Sequence, residues 1–132
     1  MIHLDTHILV ILYQEGARDL PSFARRSLER ARLVISPMVQ MELQYLFELD
    51  RIDGPASTVL DDLAPRLEIV VSTAPFQAVV QAATALTWTR DPFDRLIAAQ
   101  SVADRADLLT ADHTIRANLA TAFWDQPTRS AR

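Results

Sequence analysis

The chain has 132 residues, a net charge of −4, no lysine and no cysteine, which excludes several classes of protein. A content of 49% hydrophobic and 23% charged residues predicts one folded domain, and no apolar run approaches the roughly 20 residues of a membrane span. The negative charge argues against binding nucleic acid by bulk electrostatics, although an enzyme that meets RNA transiently stays open. Without cysteine or a visible signal peptide, we expect a soluble cytoplasmic protein that forms no disulfides.

Short apolar segments alternate with helical patterns along the whole chain. The patterns predict strands at residues 1–5, 33–35, 67–71 and 108–110, with a small fifth strand at 122–124, and helices at 8–13, 22–31, 38–49, 57–63, 75–87, 92–105 and 113–119. This order implies right-handed crossovers and a mainly parallel sheet covered by helices on both faces. We therefore predict an α/β fold, with one domain over residues 1–126 and a polar, frayed tail over 127–132.

The first predicted strand ends in a carboxylate, Asp5, and a helical pattern follows directly from Thr6. Open α/β folds bind their ligands at the carboxyl edge of the sheet, which is where such a strand delivers Asp5. One aspartate at a strand end is weak evidence. Its significance depends on whether other acids reach the same edge.

Glu42 lies on the third predicted helix among apolar neighbours. By helical spacing its face is shared with Met38, Tyr45, Leu46 and Leu49, which predicts a position on or beside the core-facing stripe. A buried carboxylate needs a partner, a proton or a cation, and no basic residue lies one turn away. An acid at the stripe edge that reaches solvent explains Glu42 equally well.

Asp94 lies in the first turn of the helix at 92–105, with Ile97, Ala98 and Ser101 on its face. An acid there also stabilises a helix N-terminus by roughly 0.3–1 kcal/mol. Asp91 already supplies an N-cap, followed by a proline at the first helical position, so we assign Asp91 mainly to capping. The apolar neighbours of Asp94 favour a functional role over a second capping role.

Asp112 directly follows the fourth predicted strand, in a position equivalent to that of Asp5. Taken alone, it is best explained as the N-cap of the next helix. Together, however, Asp5, Glu42, Asp94 and Asp112 can converge at one edge of a parallel sheet. Four carboxylates at close range raise each other's pKa unless a counter-charge is present. Mg²⁺, with Mn²⁺ as an alternative, is the type of cation that suits such oxygen ligands.

At these acids the sequence resembles the PIN-domain family, and within it the VapC-type toxins of bacterial toxin–antitoxin pairs. The matching blocks are IHLDTH at 2–7, SPMVQMEL at 36–43, RDPFDRLIAAQ at 90–100 and LLTAD at 108–112. Each block is weak alone, but the ordered set covers nearly the whole domain. The resemblance implies a three-layer α/β/α fold, a Mg²⁺-dependent endoribonuclease, neutralisation by a cognate antitoxin and a homodimer.

The resemblance also implies roles for individual residues. The acidic site that binds the metal and performs the hydrolysis is Asp5, Glu42, Asp94 and Asp112, with Asp5 and Asp94 as the firmest ligands; Thr6, Ser36, Asp91 and Thr110 support it. The mechanism that we hypothesise is attack of a metal-activated water on an RNA phosphodiester. Arg95 and Arg116 are candidate phosphate contacts, and an exposed structural arginine is an equally good explanation for each.

Other classes of protein fit less well. The three histidines form no pair at metal-ligand spacing, so structural roles are favoured for His3, His7 and His113. No nucleophile elbow is present, and two glycines cannot build a phosphate-binding loop. The alternative function is a non-catalytic PIN-like module that binds RNA or a protein. The mixed-charge face of the helix at 22–31 is best explained as a solvated surface, with an RNA or partner surface as the minority alternative.

Overall fold

A computed structural model describes residues 1–130, and the two C-terminal residues lie outside this range. The elements are β1 (Ile2–Leu4), α1 (Thr6–Gln14), α2 (Ser22–Arg30), β2 (Leu33–Ile35), α3 (Pro37–Glu48), α4 (Ala56–Leu67), β3 (Ile69–Val71), α5 (Phe76–Thr84), α6 (Pro92–Ala103), β4 (Asp107–Leu109), α7 (His113–Asn118) and β5 (Ala122–Phe123), with a short 3₁₀ turn at Ala17–Asp19. No helix in this part of the chain is long and apolar enough to cross a membrane.

The five strands form one sheet in the order β3-β2-β1-β4-β5, and every pair of neighbours is parallel. Helices cover both faces, which gives the predicted three-layer α/β/α arrangement. The central strands are almost entirely enclosed, since Leu4, Leu108 and Leu109 have no exposed surface. Parallel strands covered on both faces are apolar along their whole length, and this is why the short strands were recognisable in the sequence.

The largest differences between the predicted and observed helix boundaries are at the ends of α4 and α5, each for a local reason. The pattern predicts a helix at 57–63, but α4 continues to Leu67 through Pro65, where Leu63 is fully buried in the core and Leu67 packs against it. The pattern also extends the next helix to residue 87, whereas α5 ends at Thr84. The guanidinium of Arg95, which lies on the next helix, donates to the carbonyls of Ala83 and Thr84 at this end.

The predicted inward face of α3 needs correction. On α3 the buried residues are Val39 and Leu43, whereas Tyr45 and Leu49 are 47% and 44% exposed. The α3 helix packs against α1, α4 and α6, so its buried stripe is rotated from the one predicted.

The end of the described chain folds back onto α7. The guanidinium of Arg129 donates to the carbonyl of Arg116, and the backbone N–H of Ser130 donates to Ala120. Residues 127–130 of the predicted tail therefore contact the domain. Residues 131 and 132 lie outside the described residues.

Candidate active site

The candidate site lies at the carboxyl edge of the sheet, in the crevice between β1 and β4. The chain runs outward from β1 to β2 and β3, then returns to the other side of β1 as β4. Such a reversal of strand order opens a crevice at the carboxyl ends of the two central strands. Asp5 follows β1 and Asp112 follows β4, so both acids reach this crevice.

Asp5 is fixed by hydrogen bonds and is only 3% exposed. Its Oδ1 accepts the backbone N–H of Thr6 at 2.8 Å, which caps α1. Its Oδ2 accepts the hydroxyl of Thr110 at 2.7 Å. A carboxylate accepts about four hydrogen bonds in total. These two bonds therefore orient Asp5 and leave lone pairs free for a cation.

Thr110 connects the two strand ends. Its buried hydroxyl donates to Asp5 and accepts the backbone N–H of Asp112 at 3.0 Å. Asp112 in turn accepts the N–H of Ile115 at 2.9 Å and is the N-cap of α7. The hydroxyl of Thr110 thereby couples the position of Asp5 to the position of Asp112.

His7 forms a second link across the crevice. Its Nε2 accepts the backbone N–H of Ala111 at 2.8 Å, so the ring proton of the neutral side chain is on Nδ1. Nδ1 lies 3.5 Å from Oδ2 of Asp5, which is too long for a strong hydrogen bond. His7 therefore holds the segment after β4 beside Asp5.

Asp94 brings α6 to the same crevice. It lies in the first turn of α6, where its backbone N–H donates to the capping carboxylate of Asp91 at 3.0 Å. Burial raises the pKa of Asp94 from 3.8 to about 7, with further contributions from the charges of Asp5, Asp91, Asp112 and Glu42. The structure therefore places all four predicted acids, together with Asp91, within electrostatic reach of one another.

Glu42 is half-buried on α3 and faces the same group of acids. Burial raises the pKa of Glu42, the nearby hydroxyl of Thr6 opposes this increase, and the charges of Asp5 and Asp91 add to it. Within residues 1–130 the hydroxyl of Thr6 has no hydrogen-bond partner of standard geometry, so its effect on Glu42 comes from proximity. Of the two explanations that the sequence left open, the structure favours an acid of the crevice over one that extends into solvent.

A series of hydrogen-bonded polar side chains connects α6 to the segments that follow β2 and β3. Ser36 caps α3 and donates to Oε1 of Gln100 at 3.0 Å, and Nε2 of Gln100 donates to Ser72 at 3.0 Å. Ser72 donates to Asp104 at 2.6 Å, and Asp104 also lies 2.7 Å from Nε2 of His3. Burial lowers the pKa of His3 against the opposing effect of Asp104, so the ring is neutral at pH 7. This network fixes α6, which carries Asp94, against the ends of β2 and β3.

The four acids are too far apart to form a complete metal-binding site on their own. Within residues 1–130, no group of three or more His, Asp or Glu side chains is close enough to hold one ion. The carboxylates are near enough to raise the pKa of Asp94, but they are spread along the crevice. Their chemistry suits a hard cation such as Mg²⁺, which commonly binds one or two carboxylates and keeps several water ligands.

Comparison with known proteins identifies the fold family. The family model of the PIN domain matches residues 2–118, which is most of the chain. The chain belongs to the PIN-domain family. The matched range contains the first four strands and all four predicted acids, while β5 lies beyond it. A search of curated proteins gives no match.

Three solved structures share the fold of this PIN domain. VapBC2 from Rickettsia felis, bound to a promoter DNA fragment, is 24% identical, with a TM-score of 0.63 and coverage of 90% of this chain and 94% of that one. A toxin–antitoxin complex from Klebsiella pneumoniae is 19% identical, with a TM-score of 0.68 and coverage of 96% and 99%. FitAB bound to the IR36 DNA fragment is 18% identical, with a TM-score of 0.56 and coverage of 93% and 94%.

The two predicted arginines occupy different environments in the PIN domain. The guanidinium of Arg95 donates to the carbonyls of Ala83, Thr84 and Thr89, at 2.8, 3.4 and 3.4 Å. Arg95 therefore caps the C-terminus of α5, and the structural explanation holds for it. Arg116 donates through Nη2 to the carbonyl of Ala111 at 3.3 Å, and its buried Nε has no partner within residues 1–130.

Sequence reasoning named Ser36 and Thr110 as supporting residues but missed the parts played by Gln100 and His7. The links from Ser36 to Gln100 and from His7 to Ala111 join residues that are far apart in the chain. The one available signal was the position of His7, two residues after Asp5, and the pattern assigned His7 only a structural role. No sequence signal distinguished Gln100 from other polar residues on a buried helix face.

Proposed function

We propose that this PIN domain is a Mg²⁺-dependent endoribonuclease that acts as the toxin of a toxin–antitoxin pair. The observation that carries this proposal is the buried carboxylate of Asp5, which Thr6 and Thr110 orient at the sheet edge beside Asp94, whose pKa burial and four neighbouring acids raise to about 7. A folded protein gains nothing in stability from acids that repel one another in a crevice. Such an arrangement is typical of a site that binds a cation or performs chemistry.

Asp5 and Asp94 are the residues that would hold the ion, with Glu42 and Asp112 completing the acidic edge. Bound Mg²⁺ supplies an activated water and neutralises charge on the phosphodiester. Thr110 and the backbone of Thr6 keep the Asp5 carboxylate oriented. Mn²⁺ has the same ligand preference and is the alternative ion.

The proposed partner is a cognate antitoxin. Two of the similar solved structures are VapBC2 and a toxin–antitoxin complex, and their coverage of this chain is 90% and 96%. A small DNA-binding protein encoded in the neighbouring reading frame would support this assignment. We also propose cytoplasmic action on RNA, and a homodimer in which exposed apolar side chains of the helices meet.

The alternative is a PIN-like module that binds RNA or protein without cutting it. The absence of a closed three-acid metal group within residues 1–130 favours this alternative. The hydrogen-bonded orientation of Asp5 and the raised pKa of Asp94 favour the enzyme, because a binding module requires neither.

Cleavage of structured RNA by the purified protein, free of antitoxin, separates these two functions. The wild type should cut RNA with Mg²⁺ and lose the activity with a chelator. The cleavage activity of Asp5→Asn should fall by more than the roughly 10–100-fold expected when a residue that only supports a metal ligand is replaced. The exposed Asp61 provides a matched control, and Asp61→Asn should retain wild-type activity. Equal cleavage by Asp5→Asn and Asp61→Asn would refute the proposed site.

A further inference from the structure

A cavity of about 200 Å³ lies beside the acidic crevice and is not part of it. It is lined by Arg116, Trp124, Asp125, Gln126 and Arg129, among others. The β5 strand is parallel to β4, so the chain leaves both strands at the same edge of the sheet. Trp124 directly follows β5, as the segment with Asp112 follows β4. Trp124 therefore lies at the sheet edge that carries the acids.

Arg116 gives the cavity an incompletely bonded cation. Its Nη2 donates to the carbonyl of Ala111 at 3.3 Å, and its buried Nε has no partner within residues 1–130. A buried donor without an acceptor is unfavourable, more so when it is charged. The buried Nε is closed to solvent, but the Arg116 side chain also lines the cavity, and a guanidinium binds phosphate well.

Two further residues extend this chemistry. The guanidinium of Arg129 donates to the backbone carbonyl of Arg116, which brings a second arginine to the same cavity. Asp125 is the acid among the lining residues, so two positive charges face one negative charge. Trp124 is partly buried and offers an aromatic surface, and aromatic surfaces bind unstacked nucleic-acid bases.

We propose that this cavity binds one nucleotide of single-stranded RNA next to the bond that is cut. Its phosphate contacts Arg116 and Arg129, and its base lies against Trp124. Arg116 follows Asp112 by about one turn of α7, a rise of about 6 Å, and its Nη2 donates back to the carbonyl of Ala111, so a strand in the crevice can reach the cavity. This inference rests on the proposed function. It also explains how a chain with a net charge of −4 holds an anionic substrate beside its acids.

Binding of a short fluorescein-labelled single-stranded oligoribonucleotide tests the inference. Fluorescence anisotropy is measured in the Asp5→Asn background with Mg²⁺, so that cleavage does not interfere. Arg129→Gln should weaken RNA binding roughly tenfold. The slope of log affinity against log salt concentration should fall by about one, the value for one lost phosphate contact. Arg51 is exposed and follows α3 at the opposite end from Ser36, so Arg51→Gln is the matched control. Equal affinity of Arg129→Gln and Arg51→Gln overturns the proposal.

Trp124 provides a second measurement that does not depend on replacing an arginine. In the Trp88→Phe protein, Trp124 is the remaining tryptophan, and the same oligonucleotide should quench its fluorescence. Arg116→Gln should weaken this response roughly tenfold. Unchanged fluorescence at oligonucleotide concentrations that saturate the anisotropy signal overturns the stacking of a base on Trp124.

Kinetics on a cleavable RNA distinguish failure of this inference from failure of the proposed function. Arg129→Gln should raise KM roughly tenfold with little change in kcat, because the cavity lies beside the acids. If the wild type cleaves RNA and Arg129→Gln has an unchanged KM, the nucleotide-binding role of the cavity is rejected and the proposed function stands. If the wild type does not cleave RNA, the proposed ribonuclease function itself is rejected. Loss of antitoxin binding in Arg129→Gln, with normal RNA binding, would assign the cavity to a protein partner and overturn the nucleotide proposal.

Discussion

At the scale of single residues, Asp94 connects the electrostatics of the site to the stability of the protein. Its pKa is about 7 in the metal-free fold and 3.8 as an ordinary aspartate. Between these pH values the folded protein keeps a proton that the unfolded chain has released. Raising the pH from about 4 to about 7 therefore lowers the free energy of unfolding, and the loss is complete above the folded pKa.

Asp94→Asn should remove this pH dependence. Without metal at pH 8, the variant should be more stable than the wild type by about 1–2 kcal/mol after allowance for screening by solvent, because Asn carries no charge to repel the other acids. Urea unfolding with a chelator at pH 5 and pH 8 measures the effect, with Asp61→Asn as the control. Parallel pH profiles for the wild type and Asp94→Asn would contradict the raised pKa.

Thr110 tests whether orientation of Asp5 matters for the proposed metal. Thr110→Val removes the hydroxyl that donates to Asp5 and accepts from the backbone of Asp112. We expect metal affinity to fall roughly 10–100-fold, the effect usual for a residue that orients a ligand. Calorimetric titration with Mn²⁺ measures this affinity, and the exposed Thr114 provides the control Thr114→Val. Unchanged affinity in Thr110→Val would show that the hydroxyl does not position a metal ligand.

At the scale of elements, the strands and most helices follow from the sequence because apolar periodicity reflects burial. Residues 33–35 are predicted and observed as β2, and Asp91 caps α6 as its position indicates. The end of α5 depends instead on Arg95, which lies on the next helix and donates to the last carbonyls of α5. The apolar pattern within α5 contains no information about a hydrogen-bond donor that the next helix supplies.

Arg95→Gln separates a structural role from a phosphate contact. Removing the guanidinium takes three hydrogen bonds away from the end of α5 and the segment after it, although the carbonyl of Ala83 still accepts from the N–H of Leu86. The free energy of unfolding should therefore fall by about 1–3 kcal/mol. RNA cleavage per folded molecule should not change. Chemical unfolding and steady-state kinetics measure both effects, with the exposed Arg90 as the matched control in Arg90→Gln. A raised KM with normal stability would instead show that Arg95 contacts the substrate.

At the scale of the whole molecule, the topology explains why four acids from distant segments could be predicted as one site. The carboxyl ends of parallel strands meet at one edge, so Asp5 and Asp112 could be placed there from sequence alone. The cavity beside β5 could not be predicted, because it requires Arg129 to fold back onto α7 and Trp124 to leave β5 at the same edge. These are packing contacts without a sequence pattern.

The proposed homodimer also belongs to this scale. Met41 and Tyr45 on α3, and Leu49 directly after it, are spaced four residues apart and are 60%, 47% and 44% exposed. An exposed apolar stripe of this kind commonly marks a contact surface, and we propose that it meets a second copy of the chain. Met41→Glu should convert the dimer to a monomer in light scattering, whereas Val102→Glu, at a position 39% exposed on α6, should not. A wild-type monomer, or a dimer that persists in Met41→Glu, would contradict this surface.

The measurement that tests the central claim most directly is sequencing of the RNA ends produced in cells when the protein is induced without antitoxin. We expect a defined set of new RNA ends with the wild type and with Asp61→Asn, and the loss of these ends with Asp5→Asn. Asp5 is decisive because it is buried, oriented by two hydrogen bonds and central to the crevice. The same new ends in Asp5→Asn, or none in the wild type, would contradict a metal-dependent ribonuclease at this site.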